Sequence, residues 1–178
     1  MMNKALEVIE ARFLFDVPAD RISVVIHPQS VIHSMVQFRD HSIVAQMGTP
    51  DMRVPIAYGL SWPHRMASGA QPLDLHALTG LTFEAVQEPA HQSRFPGLKL
   101  AWQVLAAPCG APAALNAANE VAVAAFLDGR IRFDQIHAVN AHTLGAMAQL
   151  DADSLESLLA IDAQARDRAG QMVRSLSR

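Results

Sequence analysis

The spacing of apolar residues changes along this chain of 178 residues, and that change constrains the fold more than any other feature. Residues 22–26, 31–38 and 42–47 are β-branched or alternating runs, which are typical of strands. From residue 96 onward apolar residues recur at steps of three and four, and 20 of residues 101–178 are alanine. The pattern therefore predicts an α+β chain in which a small sheet precedes a helical module.

The first part of the chain combines helices with these three runs. Helical spacing predicts a helix over residues 3–15, which cannot continue through Pro18. The polar residues 39–42 join the last two strands as a hairpin. Residues 52–62 predict a second helix, which either starts near Pro55 or tolerates this proline in its first turn. Three strands and two helices make a thin core, so we expect residues 1–62 to be part of a larger domain.

The remainder of the chain divides into a linker and a bundle. Residues 63–95 are rich in Pro, Gly and Ser, and we expect one short strand there, at residues 81–84. Residues 96–178 predict an all-α, four-helix bundle-like domain. Its predicted helices are 98–105, 113–127, 134–150 and 154–176. The candidate helix caps are Thr49 or Asp51, Asp134 and Ser154. The residues of the last helix expected to face inward are Leu155, Leu158, Leu159, Met172 and Leu176.

Composition excludes several classes of protein. With 51% apolar residues and a net charge of −3, the chain is not intrinsically disordered. The single cysteine, Cys109, excludes an internal disulfide framework and a cysteine zinc cluster. Fourteen basic residues, outnumbered by seventeen acidic ones, form no stripe for nucleic acid. No apolar run approaches about 18 residues and no secretory signal is evident, so we expect a cytoplasmic protein without a membrane partner.

One polar cluster lies on the first predicted helix. Asn3, Lys4 and Glu7 are spaced i, i+1 and i+4, which brings them to one side of the helix. An amide, an ammonium and a carboxylate together could hold a polyhydroxylated or phosphorylated ligand and one divalent metal. The alternative is a solvated helix face that carries an ordinary Lys4–Glu7 ion pair.

A second cluster contains two histidines in a strand–turn–strand segment. His27 and His33 could supply a general acid or base near neutral pH. The alternative is that both imidazoles form hydrogen bonds with the backbone of the turn. Their spacing matches no zinc-binding pattern, and the other six histidines do not cluster in the sequence.

Two further features complete the candidates. Asn116, Asn119 and Glu120 form a polar patch on an Ala/Val-rich helix, which indicates a buried polar network that ties the bundle to its neighbour. Met52, beside Pro50, either lines a planar cofactor ring or belongs to the core. The sequence contains neither a glycine-rich phosphate loop nor a G-x-S-x-G nucleophile elbow.

Five motifs in a fixed order carry a more specific signal. They are MMNKALE at 1–7, VIHPQSVIHSMV at 25–36, AQMG at 45–48, PDMR at 50–53 and LNAANE at 115–120. Over essentially its whole length, the chain resembles the 1-deoxy-D-xylulose 5-phosphate (DXP) reductoisomerases. The resemblance implies an enzyme of the methylerythritol phosphate route to isoprenoids. Such an enzyme rearranges DXP, a small phosphorylated sugar, and reduces the product with NADPH to 2-C-methyl-D-erythritol 4-phosphate.

The resemblance also implies roles for individual residues. Glu7 would be one of three carboxylates that bind a divalent cation (Mg²⁺, Mn²⁺ or Co²⁺), which chelates substrate oxygens. Asn3 and Lys4 would hold substrate hydroxyl and phosphate oxygens, and Lys4 would add positive charge where alkoxide character develops. His33 matches a histidine important for turnover. The residues matching those that line the nicotinamide and substrate pocket are Pro50 and Met52.

The chain departs from the family pattern in two residues. The usual glycine at the fifth position is Ala5, which should be harmless because alanine favours helix. The usual Asp-Gly hairpin turn reads Asp40-His41, which implies a different turn type.

The resemblance divides the chain into functional segments. Residues 1–62 correspond to the second part of the catalytic domain, 63–95 to a linker and 96–178 to the C-terminal helical domain. We expect the dinucleotide-binding domain, two metal carboxylates and a phosphate-binding serine to lie upstream. The chain alone should then be an inactive fragment of a homodimeric enzyme. The alternatives are a non-catalytic association module and an independent metal-binding protein that uses its histidines.

Overall fold

The computed structural model describes residues 2–147 and 150–177 and shows an α+β chain, as the hydrophobic pattern predicts. The helices are α1 (Met2–Leu14), α2 (Arg53–Ser61), α3 (Pro89–Arg94), α4 (Gly97–Leu105), α5 (Ala111–Leu127), α6 (Phe133–Ala146) and α7 (Leu155–Leu176). The strands are β1 (Val25–Ile26), β2 (Ile32–Gln37), β3 (Ile43–Met47) and β4 (Glu84–Ala85). A single 3₁₀ turn, Ala19–Arg21, follows α1. Among the described residues, no helix combines the length and the hydropathy needed to cross a bilayer.

The described residues form two compact units. The helical unit contains residues 2–23 and 87–177, and the strand unit contains residues 24–86. These boundaries differ from the sequence segments because α1 packs against α4 and α5 instead of joining the strands. Its apolar side, with Ala5, Val8 and Ile9 buried, explains this placement.

Two antiparallel strand pairs organise the strand unit. β2 and β3 form the predicted hairpin, with Gln37 opposite Ile43 next to the turn. β1 pairs with β4, with Val25 opposite Ala85. The predicted strand at 22–26 is therefore reduced to its last two residues, and the one at 81–84 is shifted towards the C-terminus. Only the residues whose backbone forms hydrogen bonds with a neighbouring strand are part of a strand.

The start of α2 follows the prediction in part. Pro55 lies in the first turn, where its missing N–H breaks no helical hydrogen bond. The predicted cap is wrong, because the N-cap residue is Met52, which makes no side-chain capping hydrogen bond. Asp51, one residue earlier, still bonds the first turn, since its Oδ1 accepts a hydrogen bond from the Arg53 N–H at 2.9 Å.

Helix α5 lies at the centre of the helical unit and packs against α6 and α7. Small residues dominate its contacts. The buried residues of α5 are Ala111, Ala114, Leu115, Ala117, Ala118, Ala122 and Ala125. Those of α7 are Ile161, Ala165, Ala169 and Val173. Alanine on both helices leaves no long side chains to hold the two backbones apart.

The four predicted helices of the bundle correspond to α4–α7, with three corrections. Helix α6 ends at Ala146, and residues 148–149 of its predicted range lie outside the described residues. Arg132 is its N-cap, and the Gln135 side chain accepts from the Arg132 N–H at 2.7 Å; Asp134 lies in the first turn. Helix α3 forms within the predicted linker. Ser154 caps α7 as predicted.

Candidate functional site

Asn3, Lys4 and Glu7 lie together on the exposed side of α1. Asn3 Nδ2 donates to Glu7 Oε1 at 3.2 Å, and the Lys4 ammonium contacts Glu7 Oε2. The Lys4 and Glu7 side chains are 42% and 45% exposed, so solvent and ligands can reach both. The spacing of the three residues thus produces the predicted cluster, with a carboxylate between an ammonium and an amide.

The opposite side of α1 explains why this cluster faces outward. Ala5, Val8 and Ile9 are buried, which fixes the rotation of the helix about its axis. Ala5 has no exposed surface, so the methyl group that replaces the expected glycine hydrogen is accommodated in the core. The polar side is consequently held by packing and does not depend on the Lys4–Glu7 pair.

Glu7 alone does not make a metal site. No group of three or more His, Cys, Asp or Glu that could hold a metal occurs within residues 2–147 and 150–177. Magnesium commonly binds one or two carboxylates and completes its shell with water and substrate oxygens. Glu7 therefore offers one carboxylate, fewer ligands than a divalent cation needs.

His33 supports the loop that precedes α2. Its Nε2 lies 3.2 Å from the Gly48 carbonyl oxygen, and the Gly48 N–H donates to the Val31 carbonyl at 3.0 Å. Pro50 and Met52 follow in this loop. The Met52 side chain is 72% exposed, so it is not part of the core of the described chain. The loop is thus anchored at the Gly48 backbone, and it exposes the apolar side chains of Pro50 and Met52.

His27 lies in a different environment from His33. Its Nδ1 is 2.8 Å from the Thr82 carbonyl oxygen, and its ring stacks on Phe83 with centroids 5.0 Å apart. Gln29 donates to the Thr82 hydroxyl at 2.9 Å. These contacts bind the β1 region to the segment before β4. Both His27 and His33 therefore bond backbone carbonyls, as in the alternative interpretation, but those of the distant Thr82 and Gly48 and not those of their own turn.

The polar patch on α5 joins three helices. Asn116 donates to Glu120 at 3.2 Å, and Arg166 of α7 donates to Glu120 at 2.7 Å. On the other side, the buried Asn140 of α6 donates to Asn119 at 3.1 Å. The patch therefore ties helices within the bundle to one another, whereas the prediction was a buried network that ties the bundle to its neighbour. Only part of the network is buried, since Glu120 and Arg166 are about half exposed. Sequence reasoning missed Arg166.

The candidate residues are distributed over both units. Asn3, Lys4 and Glu7 belong to the helical unit, whereas His33 and the loop with Pro50 and Met52 belong to the strand unit. Each group is held by contacts within its own unit.

Comparison with known proteins decides the family. The model of the DXP reductoisomerase C-terminal domain matches residues 47–168, which is more than half of the chain. The chain belongs to the DXP reductoisomerase family. The resemblance carried by the five sequence motifs is thereby confirmed.

Individual members of the DXP reductoisomerase family match far beyond that domain. The DXP reductoisomerase of Shewanella amazonensis is 54% identical over 173 residues, which cover 97% of this chain and 43% of that protein. That of Ralstonia nicotianae is 58% identical over 169 residues, covering 95% of this chain and 42% of that protein. The chain therefore spans less than half the length of these curated relatives.

Solved DXP reductoisomerases show the same fold. The structure from Zymomonas mobilis in complex with NADPH matches with a TM-score of 0.85 and 46% identity, covering 99% of this chain and 46% of that one. A DXP reductoisomerase in complex with NADPH, fosmidomycin and magnesium matches with a TM-score of 0.89 and 41% identity, covering 100% and 45%. The α+β architecture is thus that of the corresponding region of the family.

Proposed function

We propose that this chain contributes the substrate-facing helix and the nicotinamide-facing loop to an NADPH-dependent DXP reductoisomerase. The reaction is the conversion of DXP to 2-C-methyl-D-erythritol 4-phosphate in isoprenoid biosynthesis. The cluster of Asn3, Lys4 and Glu7 on the packed helix α1 is the observation that carries this proposal. The NADPH and magnesium in the solved relatives support the same cofactors for the complete enzyme.

The helix α1 residues divide the task of holding the substrate. The Lys4 ammonium places positive charge where oxygen becomes anionic during the rearrangement. The Asn3 amide can donate to one hydroxyl and accept from another. A bound divalent cation supplies Lewis-acid polarisation of the substrate carbonyl. Because Glu7 bonds both neighbours in this structure, ligand binding would release Lys4 and Asn3 to the substrate.

The loop residues have a different role in this proposal. His33 acts on turnover through the Gly48 carbonyl, which it holds at 3.2 Å. Pro50 and the exposed Met52 offer rigid and adaptable apolar surface to the nicotinamide and the substrate. The loop would orient the cofactor ring and exclude water from the reacting carbon.

The complete protein is proposed to be a cytoplasmic homodimer that binds neither nucleic acid nor membrane. The net charge of −3 argues against binding to polyanions. The β2–β3 hairpin exposes large apolar side chains, and an exposed apolar patch of this kind is typical of a protein–protein interface. The exposed residues of the hairpin are Met35, Val36, Phe38, Ile43, Val44 and Met47. This surface also favours the second candidate function, a non-catalytic association module.

A chimeric enzyme tests the proposal. The matching 169-residue region of the Ralstonia nicotianae relative is replaced with this chain, and NADPH oxidation is measured with DXP and Mg²⁺. We expect turnover by the chimera and none by the 178-residue chain alone, since one carboxylate of α1 cannot replace a set of three. A folded chimera that binds NADPH but is inactive would contradict the proposal and favour the association module. Turnover by the chain alone would contradict its dependence on other segments.

A further inference from the structure

We propose that Thr49 is a positioning residue that sets the placement of Pro50 and Met52, and this inference rests on the proposed function of the loop. Its hydroxyl donates to the Gln71 carbonyl at 3.0 Å, across 22 residues of sequence. Thr49 is half-buried, whereas Pro50 is exposed. The less exposed Thr49 thus carries the bond, and its exposed neighbours are the residues proposed to meet the cofactor.

The segment that receives this bond lies alongside the loop and the start of α2. We call residues 68–71 the strap. Gly69 has φ of 73°, a left-handed conformation that glycine adopts without steric cost. A Cβ added at Gly69 would lie 3.6 Å from Arg53 Nη1, so the strap also lies against the Arg53 side chain. Arg53 is in turn held by Asp51, with Nε 3.0 Å from Oδ1.

The other hydrogen bonds of the loop lie at its two ends or within it, where the Asp51 N–H donates to the Thr49 carbonyl at 2.8 Å. At the first end, Gly48 bonds to Val31 and His33. At the second end, Asp51 accepts from the backbone N–H and the guanidinium of Arg53. Between them, Pro50 has no N–H to donate. The Thr49 hydroxyl therefore ties the middle of the loop to a separate segment of the chain.

Loss of this bond has a specific functional consequence. Pro50 and Met52 would sample more positions relative to the rest of the strand unit. Cofactor binding would then have to order them, and this entropy loss would weaken its affinity. The proposed substrate contacts of Asn3 and Lys4 lie in the helical unit and do not include the loop, so DXP depends on the loop less than the nicotinamide does. A positioning role for Thr49 consequently predicts a larger loss in the use of NADPH than in the use of DXP.

Hydrogen exchange on the 178-residue chain tests the structural step. Thr49→Val keeps the shape and removes the donor, whereas Thr49→Ser keeps the donor. We expect the amides of Asp51, Arg53 and Val54 to exchange about fivefold faster in T49V, as for loss of one ordinary hydrogen bond, and at the parent rate in T49S. The matched control is Thr82→Val, which removes the similar hydroxyl contact to Gln29. Equal exchange of these three amides in T49V and T82V would overturn the inference.

Kinetics of the chimera test the functional step. We expect T49V to raise KM for NADPH about fivefold and to raise KM for DXP by a smaller factor, with T49S keeping both at the parent values. Unchanged KM for NADPH in T49V, or an equal rise for DXP, would overturn the positioning role. If the unsubstituted chimera is inactive, the proposed function fails, and the exchange rates still decide whether Thr49 holds the loop.

Discussion

The guanidinium of Arg166 on α7 donates to the Glu120 carboxylate on α5 at 2.7 Å, joining residues 46 positions apart. Arg166 also donates to Asp162 at 2.7 Å, one turn earlier on its own helix. The hydrogen bonds from Arg166 and then Asn116 hold the pKa of Glu120 below its ordinary value of 4.5, against burial and the nearby Asp162 charge. The interhelical pair therefore links the stability of the bundle to pH.

Substitution of Glu120 should remove part of this pH dependence. Because the pKa of Glu120 is lower in the folded than in the unfolded chain, its stabilisation is complete above about pH 4.5 and is lost as pH falls through the folded value. Both side chains are more than one-third exposed, so solvent screening limits the effect. We expect Glu120→Gln to lower the free energy of unfolding by about 0.5 kcal/mol near neutral pH. Urea unfolding at several pH values measures this difference.

The pH series contains its own control. The difference in unfolding free energy between parent and E120Q should stay constant above about pH 4.5 and narrow as the pH falls below it. Glu10→Gln, on the exposed side of α1, removes a carboxylate outside this network and should show no such trend. A constant gap between parent and E120Q across the series would contradict the assigned role of the Arg166 contact.

Gly110, which precedes α5, is predicted to tolerate no side chain. A Cβ added there would lie 2.6 Å from the Leu150 carbonyl oxygen and would also overlap Ile161 Cδ1. The Gly110 N–H donates to that same carbonyl at 2.7 Å, so the backbone cannot retreat without losing the bond. We expect Gly110→Ala to lower the free energy of unfolding by about 1–3 kcal/mol, as for overpacking. Thermal and urea unfolding both report this change.

Gly145 supplies the matched control for Gly110. It lies in α6, and a Cβ added there meets nothing within 4 Å. Gly145→Ala should stabilise the chain by about 0.5–1 kcal/mol, because alanine is the better helix former. Equal effects of the two substitutions would show that the close approach at Gly110 is not the cause.

The hairpin turn provides a third prediction. His41 occupies the position of the expected glycine and adopts φ of 68°, the left-handed region that disfavours a Cβ. Asp40 Oδ1 supports the turn by accepting from the Ser42 N–H at 3.0 Å. We expect His41→Gly to stabilise the hairpin by about 1 kcal/mol, measured as slower amide exchange in β2 and β3. His41→Ala removes the same imidazole but keeps the strain, so equal protection in both variants would refute this explanation.

Sequence periodicity predicts where the helices and strands of this chain lie better than it predicts which side of each helix is buried. The α7 residues Leu155 and Leu159 were expected to face inward, but both are exposed. The buried stripe instead runs through Ala165 and Ala169, where the helix approaches α5. Large apolar residues mark a buried face only when the interface is wide enough to contain them, and small residues carry no comparable signal.

The candidate site shows a similar limit. Helical spacing predicts the contacts among Asn3, Lys4 and Glu7, because those residues are less than two turns apart. The hydrogen bond from Thr49 to Gln71 crosses 22 residues and leaves no local pattern. Long-range contacts of this kind depend on the path of a Gly- and Pro-rich segment, which periodicity does not describe.

The α1 cluster yields the most direct functional prediction. In the chimera, Glu7→Gln or Lys4→Ala should lower kcat/KM for DXP by about 10²–10³-fold. Lys4→Ala removes the positive charge proposed to stabilise the developing alkoxide, and Glu7→Gln removes a carboxylate proposed to bind the divalent cation. The fold should survive, since both side chains are partly exposed and the packing of α1 depends on its opposite side. Glu10→Gln removes an exposed carboxylate from the same helix and should leave kcat/KM unchanged. Steady-state kinetics with circular dichroism separate activity from folding, and near-normal kcat/KM in either α1 variant would remove Asn3, Lys4 and Glu7 from the proposed site.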